Sequence, residues 1–307
     1  MRGNHQPFEV DLEPQVEIDP EEPGWLESPE IYCALGQRFT FRTNTAPLAD
    51  WLAKVYHAAR CDAPDFAGQV TTISVCAATE RHAAGLFIDG RLTYATPAGF
   101  GLLSWASSSV NRLVTQQRSH RVILHAAAVA RGEHAVVLPA AMNAGKSTLT
   151  TALVERGFGY LTDEAVELPP DDPAEITGLA KPIALDHGSF EVLAHLRRLL
   201  PEELPSMYFA RRWFLDAGDV GTIHSGPARA RTVIFPRYQA GVPTDLRGLS
   251  LTEAVQRASE MTFGSNLEPG LIVRRCVGLL SGADVMSLTY SDLDEACRRV
   301  ERLVANG

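Results

Sequence analysis

Between Leu138 and Thr148 the chain reads LPAAMNAGKST, a spacing suited to holding phosphate. Loops of this kind follow G-x-x-x-x-G-K-[ST]. Their backbone N–H groups curl around phosphate oxygens, and the helix that follows adds its positive end. Here Ala140 stands where the first glycine is usual, and Gly145, Lys146 and Ser147 complete the pattern. The first position tolerates alanine wherever φ stays negative, whereas Gly145 lets backbone approach a nucleotide with no side chain between. Lys146 would reach the β- and γ-phosphates, and the Ser147 hydroxyl would ligate magnesium. The candidate nucleotide-binding residues are therefore Ala140, Ala141, Met142, Asn143, Ala144, Gly145, Lys146, Ser147 and Thr148. The cofactors these imply are ATP and Mg²⁺.

Seventeen residues past Lys146 come two adjacent acids, Asp163 and Glu164, in YLTDE. In a strand–loop–helix–strand unit, an acid at the end of the second strand returns beside the phosphate loop, near the metal.

The elements that must place these groups are legible around them. An apolar run from Ala135 to Pro139 feeds the loop, and KSTLTTALVERGF leaves it as a helix with Leu149, Ala152 and Leu153 on one face and Gly157 at its end. GYLTDEAVEL reads as the returning strand, with the acids at its end. RVILHAAAV precedes the loop as another apolar strand, GSFEVLAHLRRLL reads as a helix, and ARTVIFPRY as a strand. Ser250 to Glu253 forms a capping box, and the final helix carries Leu293, Ala296, Cys297, Val300 and Leu303 at helical spacing. Alternating strands and helices from residue 119 to 307 predict an α/β catalytic domain. Residues 31–118 read as an α+β accessory domain. Within it APLADWLAKVYHAAR and GLLSWASSSVNRLVTQQ are helical, and Asp89-Gly90 turns a hairpin.

Composition limits the partners. Of the net charge of −9, residues 1–30 supply nine acids against the single base Arg2, together with five prolines. That segment reads as a disordered acidic tail. No basic face remains for nucleic acid, and no apolar run is long enough to cross a membrane. The five cysteines are odd in number and scattered. They predict neither a disulfide framework nor a zinc site, and a reducing, cytoplasmic location.

The stretch ILHAAAVARGEHAVVLPAAMNAGKSTLTTALVERGFGYLTDEAVEL resembles the catalytic domain of HPr kinase/phosphorylase, and more closely the looser group of HPr-kinase-related kinases. His125, the loop from Ala140 to Ser147, Arg156-Gly157 and Asp163-Glu164 occur in that family's order and at similar spacing. The N-terminal α+β stretch and the tail VMSLTYSDLDEACRRVERL also look like the related kinases. The resemblance implies a P-loop kinase core of the HPr kinase/phosphoenolpyruvate carboxykinase type. It further implies transfer of phosphate from ATP to a serine or threonine hydroxyl of a protein or peptide. Carried over by position, Asp163 matches the acid that takes the hydroxyl proton, Glu164 the second acid that holds magnesium with Ser147, and His125 a histidine near the transferred phosphate; with Lys146 these are the catalytic candidates. A homo-oligomer is in prospect, since true HPr kinases form hexamers. Arg211, Arg212, Arg237 and Lys181 are candidates to meet the phosphoryl group. The glycine- and arginine-rich signature of true HPr kinases is absent, so HPr itself is not the expected acceptor. A nucleotide-binding regulatory module and an NTPase stay open as alternatives.

Overall fold

Alternating side chains lay down the first sheet. Its strands are β1 (Leu26–Glu27), β2 (Tyr32–Ala34), β3 (Gln37–Thr43), β4 (Thr71–Cys76), β5 (Ala84–Ile88) and β6 (Arg91–Thr96), in the order β1-β3-β4-β5-β6 with β2 also on β3. In β3, Phe39, Phe41 and Thr43 are buried and their neighbours are not, the period of two expected of a sheet with one face on a core. Helices α1 (Ala46–Val55) and α2 (Leu102–Thr115) cover that face. The expected hairpin joins β5 to β6: Asp89 (φ 49°) and Gly90 (φ 77°) are both left-handed, as a two-residue turn with the strands' own twist requires. The computed structural model describes residues 18–306 apart from 20, 22, 29, 62–68, 116–120 and 264–266. Of the tail expected at residues 1–30, residues 1–17 lie outside the described residues, whereas Leu26–Glu27 pair with β3 and Ile18 is buried against Cys76 and Phe87.

The second sheet carries the phosphate-loop segment. It contains β7 (Val122–Arg131), β8 (His134–Pro139), β9 (Gly159–Thr162), β10 (Ala165–Leu168), β11 (Glu175–Gly178), β14 (Ala228–Tyr238), β15 (Asp245–Gly248) and β16 (Asp284–Tyr290). Between β11 and β14 in the chain lies a separate two-stranded antiparallel sheet of β12 (Ile183–Asp186) and β13 (Arg212–Leu215). Strands β8, β14 and β16 are parallel neighbours, while β7 runs antiparallel between β8 and the pair β9 and β10.

Strands covered on both faces read as continuous apolar runs. Ala127, Val129, Val136 and Leu138 pack beneath α3 (Lys146–Glu155) and α8 (Leu293–Asn306). The alternate residues Leu124, Ala126, Ala128 and Val137 pack beneath α6 (Leu251–Glu260) and α7 (Pro269–Leu280). Ser250 and Glu253 form the expected capping box on α6, and Gly157 (φ 88°) ends α3, with Phe158 N donating to Leu153 O at 3.1 Å.

Three features depart from the sequence reading. Residues 188–200 are not one helix: α4 (Ser189–Val192) passes into a 3₁₀ turn, Ala194–Leu199, and the short α5 (Ala217–Val220) follows only after β13. Phe190, Leu193 and Leu196 are buried at intervals of three, which suits a 3₁₀ period better than 3.6. GYLTDEAVEL is two strands, β9 and β10, both against β7, with the acids at the break between them. The cysteine reading also falls. Cys33 and Cys61 form a disulfide with Cα atoms 5.7 Å apart, leaving Cys76, Cys276 and Cys297 free and buried. The bridge Tyr32↔Arg60 sets the two chain segments side by side, a tertiary proximity that sequence spacing could not show. With this bridge formed, the cysteines no longer point to a reducing compartment. Among the described residues no helix is long and apolar enough to cross a membrane.

Replacing Cys33 and Cys61 together by serine should cost about 3.5 kcal/mol, the loop-closure scale for a bridge spanning 28 residues. Thermal unfolding reads it: reductant should lower the native melting temperature and leave the double variant where it was.

Candidate functional site

Strand β8 ends at Pro139 and the chain turns through residues 140–145 into α3. The non-glycine residues with positive φ among those described are Leu35, Asp89, Asn143 and Ala210. Ala140 is not one of them, so its methyl group meets no backbone penalty. This turn takes its left-handed steps elsewhere, at Asn143 (φ 63°) and Gly145 (φ 87°), and asparagine accepts that conformation better than most residues. Gly145 is required twice over. Besides its φ, a Cβ there would lie 2.5 Å from the Tyr290 hydroxyl and 3.1 Å from Tyr238 Cβ. The buried Tyr290 donates its hydroxyl to Gly145 O at 3.1 Å, and Tyr238 N donates to Ala144 O at 3.1 Å.

Lys146 opens α3 and is 6% exposed. Its Nζ donates to Ala140 O (2.8 Å) and Ala141 O (3.0 Å), so the side chain lies back across its own loop. Burial pushes its pKa down to about 8, against the opposing pull of Glu164 and Asp163.

The two acids differ sharply. Asp163 is 1% exposed. Its Oδ2 accepts Ser147 Oγ (3.0 Å) and Ala184 N (3.1 Å). Its Oδ1 meets Lys181 Nζ at 2.6 Å and the Tyr160 hydroxyl at 3.1 Å. Burial alone would raise this carboxyl's pKa, but Lys181 and the hydrogen bonds outweigh it and hold it below the usual range. Glu164, one residue on, keeps 27% of its side-chain surface and faces His125, Oε1 to Nε2 3.5 Å. Burial, reinforced by Asp163, raises the Glu164 pKa against Lys181, Lys146 and Arg212.

A recess bordered by Lys146, Ser147, Glu164, His125, Asp186 and Arg212 brings these groups together. Met142, Asn143, Gly145 and Thr148 also border it; Ala140, Ala141 and Ala144 do not. His125 is delivered by β7, where it pairs across the strands with Ala165. Arg212 opens β13, opposite Asp186 on β12. Neither Arg211 nor Arg237 borders the recess. Lys181 does not either: its side chain is 1% exposed, behind Asp163, where it cannot touch a phosphate in the recess.

Sequence reasoning missed Tyr160, Asp186 and Ser189. Asp186 Oδ1 accepts Ser189 N (2.9 Å) and Ser189 Oγ (2.8 Å), and Ser189 Oγ lies 2.8 Å from Thr148 Oγ1. Only Tyr160, three residues before Asp163, carried a local signal. A larger groove of about 400 Å³ lies between β4–β6 and α2, near Trp105, Arg91 and Arg112. Among the described residues Asp89 is the one acid on its border, and these residues offer no acid pair for chemistry.

No protein-family model and no curated protein matches this chain. Among solved structures, the HPr(Ser) kinase/phosphatase from Coxiella burnetii aligns with 60% of this chain and 99% of its own, at 14% identity and a TM-score of 0.32. That is a distant structural relationship.

Lys181→Met should cost about 3–5 kcal/mol in urea unfolding at neutral pH, because it strands a buried carboxylate. Adding Asp163→Asn should restore much of that loss. Since folding lowers the Asp163 pKa, its contribution is present above about pH 4 and is lost as pH falls through the lowered folded value. Asp163→Asn should therefore flatten the acid limb of stability against pH.

Proposed function

We propose that the chain is an ATP- and Mg²⁺-dependent phosphotransferase that passes the γ-phosphoryl group to a serine or threonine hydroxyl of a protein or peptide other than HPr. The observation that carries this reading is the convergence of Lys146, Ser147, two acids and Arg212 on one recess at the start of α3. Phosphoryl transfer asks for that kind of positioning and charge, and for little covalent chemistry from the protein.

Among the described residues no three His, Cys, Asp or Glu side chains gather as a ready-made metal cage. Magnesium carried on a nucleotide needs only one or two protein oxygens, the rest being phosphate and water. Ser147 Oγ, backed by Asp163, fits that need. The bound ion would offset charge on the β- and γ-phosphates. Lys146 would leave the Ala140 and Ala141 carbonyls for those phosphates, and the N–H groups from Asn143 to Thr148 would cradle them.

The family resemblance gives Asp163 the proton and Glu164 the metal. Burial and hydrogen bonding support the opposite division. Asp163 is fully engaged and holds its charge, which suits fixing Ser147 and the metal side. Glu164 is open to the recess, has a raised pKa and neighbours His125, which suits receiving the acceptor's proton. Arg212, across the recess, would meet the transferring phosphoryl group. A second reading, nucleotide sensing without transfer, is favoured by one contact, the bonding of Lys146 to its own loop.

Incubation with γ-labelled ATP, Mg²⁺ and candidate acceptors separates them. A kinase leaves label on serine or threonine, an NTPase releases it as phosphate, and a sensor does neither. Lys146→Ala should abolish turnover. Glu164→Gln should reduce turnover by about 10²-fold or more with ATP affinity kept, whereas Asp163→Asn should raise the Mg²⁺ requirement; equal effects of both on affinity would sink the division of roles.

With its pKa lowered to about 8, Lys146 is part-neutral at pH 8 and regains its proton beside triphosphate. ATP binding should therefore take up protons at pH 8 and none at pH 6. Calorimetry in buffers of different ionisation enthalpy measures that difference.

A further inference from the structure

The strands β8, β14 and β16 are parallel neighbours and end on the same edge of the sheet. Ligands of open parallel sheets lie in crevices along that edge. Strand β9 also ends there, since it and β8 both run antiparallel to β7. The edge therefore has a direction. On one side of the phosphate loop, beyond β7, stand Asp163 and Glu164. On the other side stands the end of β14.

A triphosphate whose γ-end meets the acids must carry its nucleoside the opposite way, over Arg237, Tyr238 and Gln239, all of them exposed. Tyr238 is 51% exposed. A lone surface tyrosine is ordinary, but this one is fastened to the loop. Its N–H donates to Ala144 O at 3.1 Å, and its ring meets Tyr290 edge-on, centroids 5.8 Å apart at 72°. Tyr290 in turn is 2% exposed and holds Gly145 O. The ring thus has a fixed attitude toward the phosphates and half its surface open, the requirement for a stacking platform.

We infer that Tyr238 is the base subsite: the aromatic base of a nucleoside triphosphate stacks on its ring at the end of β14, on the far side of the phosphate loop from the acids. This rests on the phosphate-loop reading proposed above and extends it to the other end of the ligand. It also separates two ligands that the loop alone treats alike. Inorganic tripolyphosphate has the charges and no base; ATP has both.

Calorimetric titration of the full chain with Mg-ATP and with Mg-tripolyphosphate tests the subsite, using the native protein, Tyr238→Phe and Tyr238→Ala. Alanine keeps the N–H that ties β14 to the loop. The native protein should bind ATP more tightly than tripolyphosphate. Tyr238→Ala should weaken ATP by about tenfold, within the range of a lost base stack, and leave tripolyphosphate unchanged; Tyr238→Phe should match the native protein with both. Undiminished ATP affinity in Tyr238→Ala overturns the inference, as does an equal loss for both ligands, which would make the tyrosine a support of loop shape. If the native protein takes tripolyphosphate but gains nothing from the base, the subsite fails and the phosphate loop stands. If it binds neither, both fail.

Discussion

A charge buried without a partner costs several kcal/mol, and the site is organised around meeting that cost at Asp163. The carboxylate and Lys181 face each other at 2.6 Å with side chains 1% exposed. Its remaining capacity goes to Ser147 at the start of α3, to Ala184 N on β12 and to Tyr160 within β9. One side chain thus pins a helix, the two-stranded sheet and a strand of the large sheet to each other. The helix it pins is the one whose first turn faces the recess. Buried polar networks of this sort specify geometry when every member is satisfied.

The same burial separates two adjacent carboxyls. Asp163 is held low because a cation and hydrogen bonds surround its charge; Glu164 is pushed up because burial acts on it with fewer compensating contacts. Neighbouring acids driven apart in this way divide acid–base work between them. Lys146 completes the pattern from the other sign, its ammonium depressed by burial and lying between loop carbonyls and acids.

Much of this was legible in the sequence, for identifiable reasons. Local signals fixed the capping box at Ser250, the Asp89-Gly90 hairpin and the end of α3 at Gly157, because each depends on residues a few positions apart. Ala140 was readable as tolerable by the same local logic, since only the sign of its φ matters. Long-range facts were not readable. Lys181 showed nothing in LAKPIAL to say that it faces Asp163 and not a ligand. Cys33 and Cys61 come together through a strand bridge. Gly145 looked like a concession to nucleotide, yet two tyrosines from strands far along the chain crowd it. Tertiary neighbours decided each of these.

The apolar cluster beneath the first sheet joins Phe39, Leu52 and Leu86 to Leu179, Phe209 and Phe214, with Ile123 and Ala165 from β7 and β10. Trp51 touches both Phe209 and Phe214. The two sheets are therefore units of topology joined by this one shared cluster, while the second sheet keeps two further cores of its own. A fragment cut after residue 118 would bare an oily face of the kind that drives chains to aggregate, and the half carrying the recess would lose the wall against which β13, and Arg212 with it, is seated.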